Sequence, residues 1–586
     1  MVKLPLESHA PSRCGRPAAQ GRTPTLLASL LVISLVPALA TAQVRPDAGS
    51  TQRDLEQRPL EVPRAGSRLS TEPARPALRA DESTRFAVSS LTVSGNTAFD
   101  AATLLALVRD DFVGKTVSLK QLQDAAARIT AFYRARGYLV ARAYIPAQRI
   151  AETGATIEIA VLEGVLGGVK VNNRSRLSDA TIARFTAPLT SGALLTLDTF
   201  ERPILLLADQ VGVGGVNPVL KAGAATGASD LTLEIGESAL VNGQVEFDNH
   251  GNRFTGTNRV TGQINLLSPF GLGESLTARL TDSFSGLTSA TLRAAVPLPG
   301  TLGGDGWKVG ASYGDTRYRL GADFARLLAS GTTRSTGVFV SYPWVRSQRW
   351  NLNTSLAYDA KRFEDRVDSA NTITPKQSRA ATLTVSGDVR DPLFANSILV
   401  WNTSLLSGQL DLQEPGARAA DATTAQTQGG YRKLNVSLLY QHALTRAWTL
   451  FGSLSAQQAG KNLDSSEKMS LGGANGVRAY PVGEAAGDEG VQATVELRYA
   501  LPIDFGIGAV PSIVLFADGG RVQTNKNAFA AGLNARTLAA AGVGFTLTKQ
   551  SDFSVKLYWA AKTTGEIATA DTDRYGRAWL QAVKYF

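Results

Sequence analysis

Cysteine is almost absent: the 586 residues hold one, Cys14. It lies in a segment expected to be removed. Arg13, Arg16 and Arg22 form a basic lead, Leu26 to Leu39 an apolar stretch, and Ala40-Thr41-Ala42 a small-x-small site before Gln43. That order is a secretory signal peptide over residues 1–42, with cleavage after Ala42. The exported chain then has no cysteine and needs no disulfide framework. Histidine is scarce too. With His9 in the leader, only His250 and His442 remain, and neither has a second His or Cys at ligand spacing. No metal site is expected. There is no Gly-x-Ser-x-Gly elbow and no phosphate loop, so the chain is read as a non-enzyme without cofactors. Gly212-Val213-Gly214-Gly215 is read as a turn before a strand.

Long apolar runs are also missing. The leader's stretch is too short to span a bilayer, and no later segment stays apolar for the ~20 residues a transmembrane helix needs. This excludes a helical span and leaves a β-barrel open, because a barrel carries its apolar surface at alternate positions. The charge is modestly basic, 60 Lys+Arg against 50 Asp+Glu, and spread along the chain. No basic patch with interleaved aromatics points to nucleic acid.

Residues 43–82 are rich in Pro, Arg, Ala and acids and poor in large apolar residues. Such a stretch cannot bury enough to fold alone and is read as a flexible linker. Strands and helices alternate from Arg85 to about Ser238. Phe86 to Val93 predicts a strand and Ala101 to Val108 a helix. Ser118 is placed to cap a longer helix bearing Leu119, Leu122, Ala126, Ile129 and Tyr133 at helical spacing. Leu139 to Ile145 and Thr156 to Leu162 predict two strands. The same order then repeats: a strand at Val169 to Val171, a helix capped by Ser178, a helix capped by Asp198, and strands at Val216 to Lys221 and Asp230 to Ile235. Two α+β units are expected, 83–164 and 165–238.

Beyond Ser238 the period changes to two. Leu276, Ala278 and Leu280 alternate with Thr277, Arg279 and Thr281; Phe553, Val555, Leu557 and Trp559 alternate with Ser554, Lys556, Tyr558 and Ala560. Leu434, Val436, Leu438 and Tyr440 alternate with Asn435, Ser437 and Gln441, but Leu439 blurs the pattern. An apolar face outward and a polar face inward marks a membrane barrel. At roughly 20–22 residues per strand with its turn and loop, residues 239–586 supply about 16 antiparallel strands. A barrel this wide leaves an aqueous lumen. The chain ends on an aromatic, Phe586, with Lys584 on the same face and placed to snorkel.

Several segments resemble one family. Val93-Ser94-Gly95-Asn96-Thr97 is similar to the first strand and turn of a polypeptide-transport-associated (POTRA) domain, and Phe200 to Asp209 to the long helix of a second. Asp248 to Gly256 resembles the approach to the first barrel strand, and Ser341-Tyr342-Pro343 a recurrent strand ending. Most specific is Leu471 to Tyr480, with Val477-Arg478-Ala479-Tyr480 where the family has Val-Arg-Gly-Tyr. It is matched by Phe516-Ala517-Asp518-Gly519-Gly520, a Phe-x-Asp-x-Gly wall motif. These resemble the transporters of two-partner secretion, the hemolysin and filamentous-adhesin secretion/activation proteins. The resemblance implies two POTRA domains in the periplasm and a 16-stranded outer-membrane barrel. It also implies that the loop folds into the lumen, where Arg478 meets Asp518.

The physical chemistry of these residues points the same way. A lumenal Arg suits a carboxylate bidentately. Phe516 and Asp518 share a strand face, and an aromatic on a wet wall makes sense only if something packs on it. Ala479 in place of Gly leaves the local backbone shape open.

The implied function is capture of an unfolded exoprotein, an adhesin or cytolysin with an N-terminal secretion domain, and its export through the barrel. Phe200, Arg202, Leu206 and Asp209 are candidates for the client groove. Phe586 is the signal expected to be read by the barrel assembly machinery, and outer-membrane lipid is the remaining partner. The alternatives are a barrel-insertion factor of the same superfamily, whose members usually carry more POTRA domains, and a diffusive porin, which lacks periplasmic domains.

Overall fold

The computed structural model describes residues 45–57, 59–63, 70–71, 85–149 and 154–586. The expected leader and its cleavage site lie outside the described residues.

Sixteen antiparallel strands, from Val241–Asp248 to Gly576–Tyr585, close into a barrel. Each pairs with its sequence neighbour, and the last pairs with the first. The alternating residues sort as the period requires. Ile264, Leu280, Leu356, Leu405, Val495 and Leu557 are exposed on the outer wall, an apolar band too extensive for a protein surrounded by water. Among the described residues no helix is long and apolar enough to cross a membrane. Three consecutive strands, Ala329–Arg346, Trp350–Val367 and Thr372–Arg390, run 18, 18 and 19 residues. A tilted crossing takes ~9–11, so these hairpins project past the apolar band.

Two α+β units precede the barrel. In the first, Arg85–Ser94 pairs parallel with Ala155–Leu162, which pairs antiparallel with Arg142–Tyr144. Ser118 caps the helix Leu119–Ala135 in a capping box with Gln121. Leu122, Ala126, Ile129 and Tyr133 from that helix fill the core. Glu163, 6% exposed, fixes the turn after the first strand. It accepts hydrogen bonds from the Thr97 and Ala98 amides (both 2.8 Å) and the Tyr133 hydroxyl (2.8 Å). Burial pulls this carboxyl upward, but those donors and the Thr97 hydroxyl hold it below the usual glutamate range.

The second unit repeats the topology: Val165–Asn173 pairs parallel with Ala228–Ile235, which pairs antiparallel with Val216–Ala222. Four sequence expectations need correction. Leu139 and Val140 are not strand; they pack on the second unit's core, so apolar character there serves the joint between units. The second unit's long helix, Leu197–Ala208, is capped by Thr196, not Asp198. Asp248 ends the first barrel strand, so Asp248 to Gly256 follows that strand instead of approaching it. Its carboxylate accepts from the His250 amide (2.7 Å) and Arg259 Nε (2.9 Å), which turns the chain.

The fourth correction concerns the segment read as a flexible linker, of which Ala48–Glu56 is helical and Ser70–Thr71 is strand. The helix packs inside the barrel against strands Lys308–Arg319, Ala329–Arg346 and Trp350–Val367. Ser70–Thr71 pairs parallel with the outer edge of the second unit at Val219 and Leu220.

Candidate functional site

Two elements of the chain occupy the barrel lumen. The first is the loop between strands Trp448–Ala459 and Glu489–Ala500. It folds inward, and Leu471, Val477, Ala479 and Tyr480 are fully buried. Arg478 reaches the wall: Nη2 lies 2.7 Å from Asp518 Oδ1, and Nε 2.9 Å from Asp518 Oδ2. Its backbone N–H donates to the same carboxylate at 3.1 Å. The guanidinium stacks 3.4 Å from the centroid of the Phe516 ring and so accounts for an aromatic on the inner wall.

Gly520 completes this wall because of close approach. A Cβ there would meet the Leu471 side chain at 2.7 Å, so a larger residue would push the loop off. Ala479 lies outside the positive-φ region, and the glycine freedom of the family pattern is not needed here. The Tyr480 hydroxyl reaches Thr564 Oγ1 at 3.0 Å.

Sequence reasoning missed three partners. Glu496 takes Arg478 Nη1 at 2.8 Å and Arg498 Nη2 at 2.7 Å, so two cations face two carboxylates. Trp579 on the last strand donates its indole N–H to the Arg478 carbonyl at 2.7 Å. Glu484, fully buried, pairs with Arg536 and accepts from the Thr569 and Ala570 amides, both at 2.8 Å. Gln492, Thr494, Glu496 and Arg498 form a polar run at period two, the one signal that could have flagged Glu496 as lumenal.

The second occupant is the helix Ala48–Glu56. Asp47 caps it in a capping box with Ser50 and is held in turn by Lys376 (3.1 Å) and Ser465 (2.6 Å). Lys376 also pairs with Asp464 at 2.8 Å. The Ala48 amide donates to Asp365 (2.8 Å), Thr316 donates to Gln52 (3.0 Å), and Lys361 pairs with Glu56 (2.7 Å). Gly49 lets the helix lie against the infolded loop, because a Cβ would sit 2.5 Å from Ser465 Oγ. These grips are mostly polar, a bond type that water can replace.

Beside both occupants remains a cavity of ≈ 1030 Å³, lined chiefly by Ser, Asn, Gln and Thr from one wall and by charged residues from the other.

The four residues expected to form a client groove are placed elsewhere. Phe200 and Leu206 are buried in the second unit's core. Arg202 donates to the Trp344 and Asp305 carbonyls (3.2 and 3.1 Å) and to the Tyr342 hydroxyl (3.3 Å). Asp209 forms a bidentate pair with Arg346 (2.5 and 2.8 Å). The helix serves a core on one side and a barrel dock on the other. Tyr342-Pro343 lies in that dock, where the strand register shifts between Pro343 and Val345.

Phe586 closes the seam. Its N–H donates to the Gly243 carbonyl (3.1 Å) and its carbonyl accepts from Gly243 N (2.9 Å). Lys584 pairs with Asp552 in the adjoining turn, so it is held by an ion pair and does not simply snorkel.

Comparison with known proteins agrees with this architecture. Residues 227–547 match the family described as Haemolysin secretion/activation protein ShlB/FhaC/HecB, and residues 86–164 match the POTRA domain, ShlB-type. The heme/hemopexin transporter protein HuxB of Haemophilus influenzae (strain 86-028NP) is 27% identical over 551 residues, covering 92% of this chain and 95% of HuxB. The outer membrane transporter CdiB of Dickeya dadantii (strain 3937) is 24% identical over 426 residues, covering 71% of this chain and 72% of the relative. The solved structure of CdiB from Escherichia coli superposes with a TM-score of 0.68 at 20% identity, covering 92% of this chain and 96% of that one.

Proposed function

The chain belongs to the haemolysin secretion/activation protein ShlB/FhaC/HecB family of two-partner secretion transporters, and from that premise we propose that it exports an unfolded exoprotein through its own lumen. Members of this family are outer-membrane barrels with periplasmic POTRA domains. The α+β end of this molecule is thus periplasmic and the long hairpins are outside.

One observation carries the proposal. The lumen is closed by two elements of the chain, and one of them, the helix Ala48–Glu56, is held mainly through polar contacts beside a small apolar one at Ala48 and Leu55. Removing the helix Ala48–Glu56 would widen the cavity already beside it. A barrel of sixteen strands has room for an extended polypeptide. Capture would use strand addition at a sheet edge of a POTRA domain. The edge strand Val216–Ala222 already accepts Ser70–Thr71 as an added strand, which supports that mode. Folding of the client outside the cell would supply the drive, since the periplasm holds no nucleotide energy. Candidate clients are adhesins and cytolysins, and the HuxB relative adds a heme- or hemopexin-related exoprotein.

The test is export of a candidate exoprotein, a large secreted adhesin- or cytolysin-like protein, co-expressed with this chain in a host lacking both. Exoprotein in the medium only when the barrel is present supports the reading. Exoprotein retained in the periplasm beside a folded barrel contradicts it.

A further inference from the structure

The lumen wall carries apolar clusters against the infolded loop and the helix Ala48–Glu56, and another against the extended segment that follows that helix. Near the periplasmic mouth, Ile398 and Val400 on strand Ser397–Leu412, Leu439 on Gly429–Ala443 and Phe451 on Trp448–Ala459 form an apolar strip. Val400 lies directly across from Leu439 in the ladder. Farther out, the same strands turn polar to the lumen with Asn402, Ser404, Asn435, Ser437, Ser453 and Ser455. Leu439, which blurred the alternation in the sequence, is therefore a member of a cluster and not a stray residue.

The strip is covered. Ile398, Val400 and Leu439 are 5%, 8% and 2% exposed, and Leu60 and Val62 pack on them. Glu61 and Pro63 point away and are exposed, so this stretch presents apolar and polar residues in turn, as an extended strand does. Arg390 donates to the Pro63 carbonyl at 3.4 Å. The segment follows the lumen helix, which ends at Glu56, so the helix cannot travel far without pulling Leu60 and Val62 off the wall.

We propose that Ile398, Val400, Leu439 and Phe451 are a receiving subsite for an extended polypeptide that alternates apolar and polar residues, and that Leu60-Glu61-Val62 is the chain's own occupant in the closed state. Opening the lumen and baring the subsite are then a single event. The strip offers an incoming strand its first apolar contact, ahead of the polar stretch of the same strands. This deepens the export reading and rests on it.

The test uses the full chain in planar lipid bilayers and two synthetic ten-residue peptides, one alternating leucine with serine and one alternating asparagine with serine. Each is added from the POTRA side, and block of the open channel is recorded. The leucine peptide should block at roughly tenfold lower concentration than the asparagine peptide, a difference of ~1.4 kcal/mol. Leu60→Ser with Val62→Ser should lower the blocking concentration further, because the internal competitor is weakened. Val400→Ser with Leu439→Ser should erase the difference between peptides. Ile398→Thr with Phe451→Asn serves as a second disabled subsite if the first pair lowers the amount of folded barrel. Equal block by the two peptides, block by neither, or a preference that survives both disabled subsites overturns the proposal. Failure here with exoprotein export intact removes the subsite alone, whereas lost export with intact peptide preference removes the export reading.

Discussion

Arg478 divides its guanidinium between two carboxylates, and that division ranks the substitutions. Arg478→Ala leaves Asp518 with only Thr494 and the Arg478 backbone N–H as donors, while Glu496 keeps Arg498. Asp518→Ala leaves Arg478 its contact with Glu496. Stranding a charge in a fully buried pair costs ~3–5 kcal/mol, and water in the lumen lowers that figure. Arg478→Ala should therefore impair export more than Asp518→Ala. The double variant should be no worse than Arg478→Ala, because the two residues act as one unit. Export normalised to barrel level checks this; clearly additive defects would mean that the residues act separately. Arg478 and Asp518 were legible in the sequence because a motif and a period-two face converged on them. Glu496 was not, because one carboxylate on an alternating strand looks like any lumenal charge until its neighbours are known.

At the scale of elements, the lumen helix was the least legible part. Ala48–Glu56 has only Ala48 and Leu55 as apolar contacts, and its other grips are polar: Asp47 to Lys376, Gln52 to Thr316 and Glu56 to Lys361. Polar composition that reads as linker in isolation becomes ordered only when the barrel wall supplies partners. Leu139 and Val140 misled in the opposite sense: they are apolar because they join two units, not because they form strand. The long helices were legible because a cap and a 3.6-residue period agreed. The helix contacts yield a graded expectation. Lys376→Ala leaves Asp47 and Asp464 without their shared cation. Each hydrogen bond to a charged group contributes ~1.5–3 kcal/mol, so the open population should rise roughly tenfold or more. Gly49→Val should act in the same direction by pushing the helix off Ser465 and Ser466. Single-channel recordings of both variants, compared with the unmodified chain, read the open fraction; an unchanged fraction would mean that these contacts do not hold the helix.

The largest part of the molecule is a closed barrel whose count of strands was readable from length and period, because each crossing consumes a nearly fixed number of residues. Its closure was not readable, since pairing of first with last strand is a property of the circuit and of no single segment. That seam has five paired positions, Gln581 to Tyr585 against Asp248 to Gln244. It is extended at one end by the Phe586 backbone and at the other by Asn249, whose side chain pairs with Leu580 and Ala578. Deleting Phe586 should lower the amount of heat-modifiable barrel in the outer membrane; a normal barrel level with reduced export would move its role from assembly to transport. On the proposed function, cargo crosses through the lumen after the helix leaves it. The most direct measurement bridges Gln52→Cys to Thr316→Cys with a short reducible bifunctional reagent. These side chains touch in the closed state, and the only natural cysteine is Cys14, in the expected leader. The bridged transporter should export no exoprotein and recover when reductant releases the helix, whereas undiminished export with the bridge intact would contradict passage through the lumen.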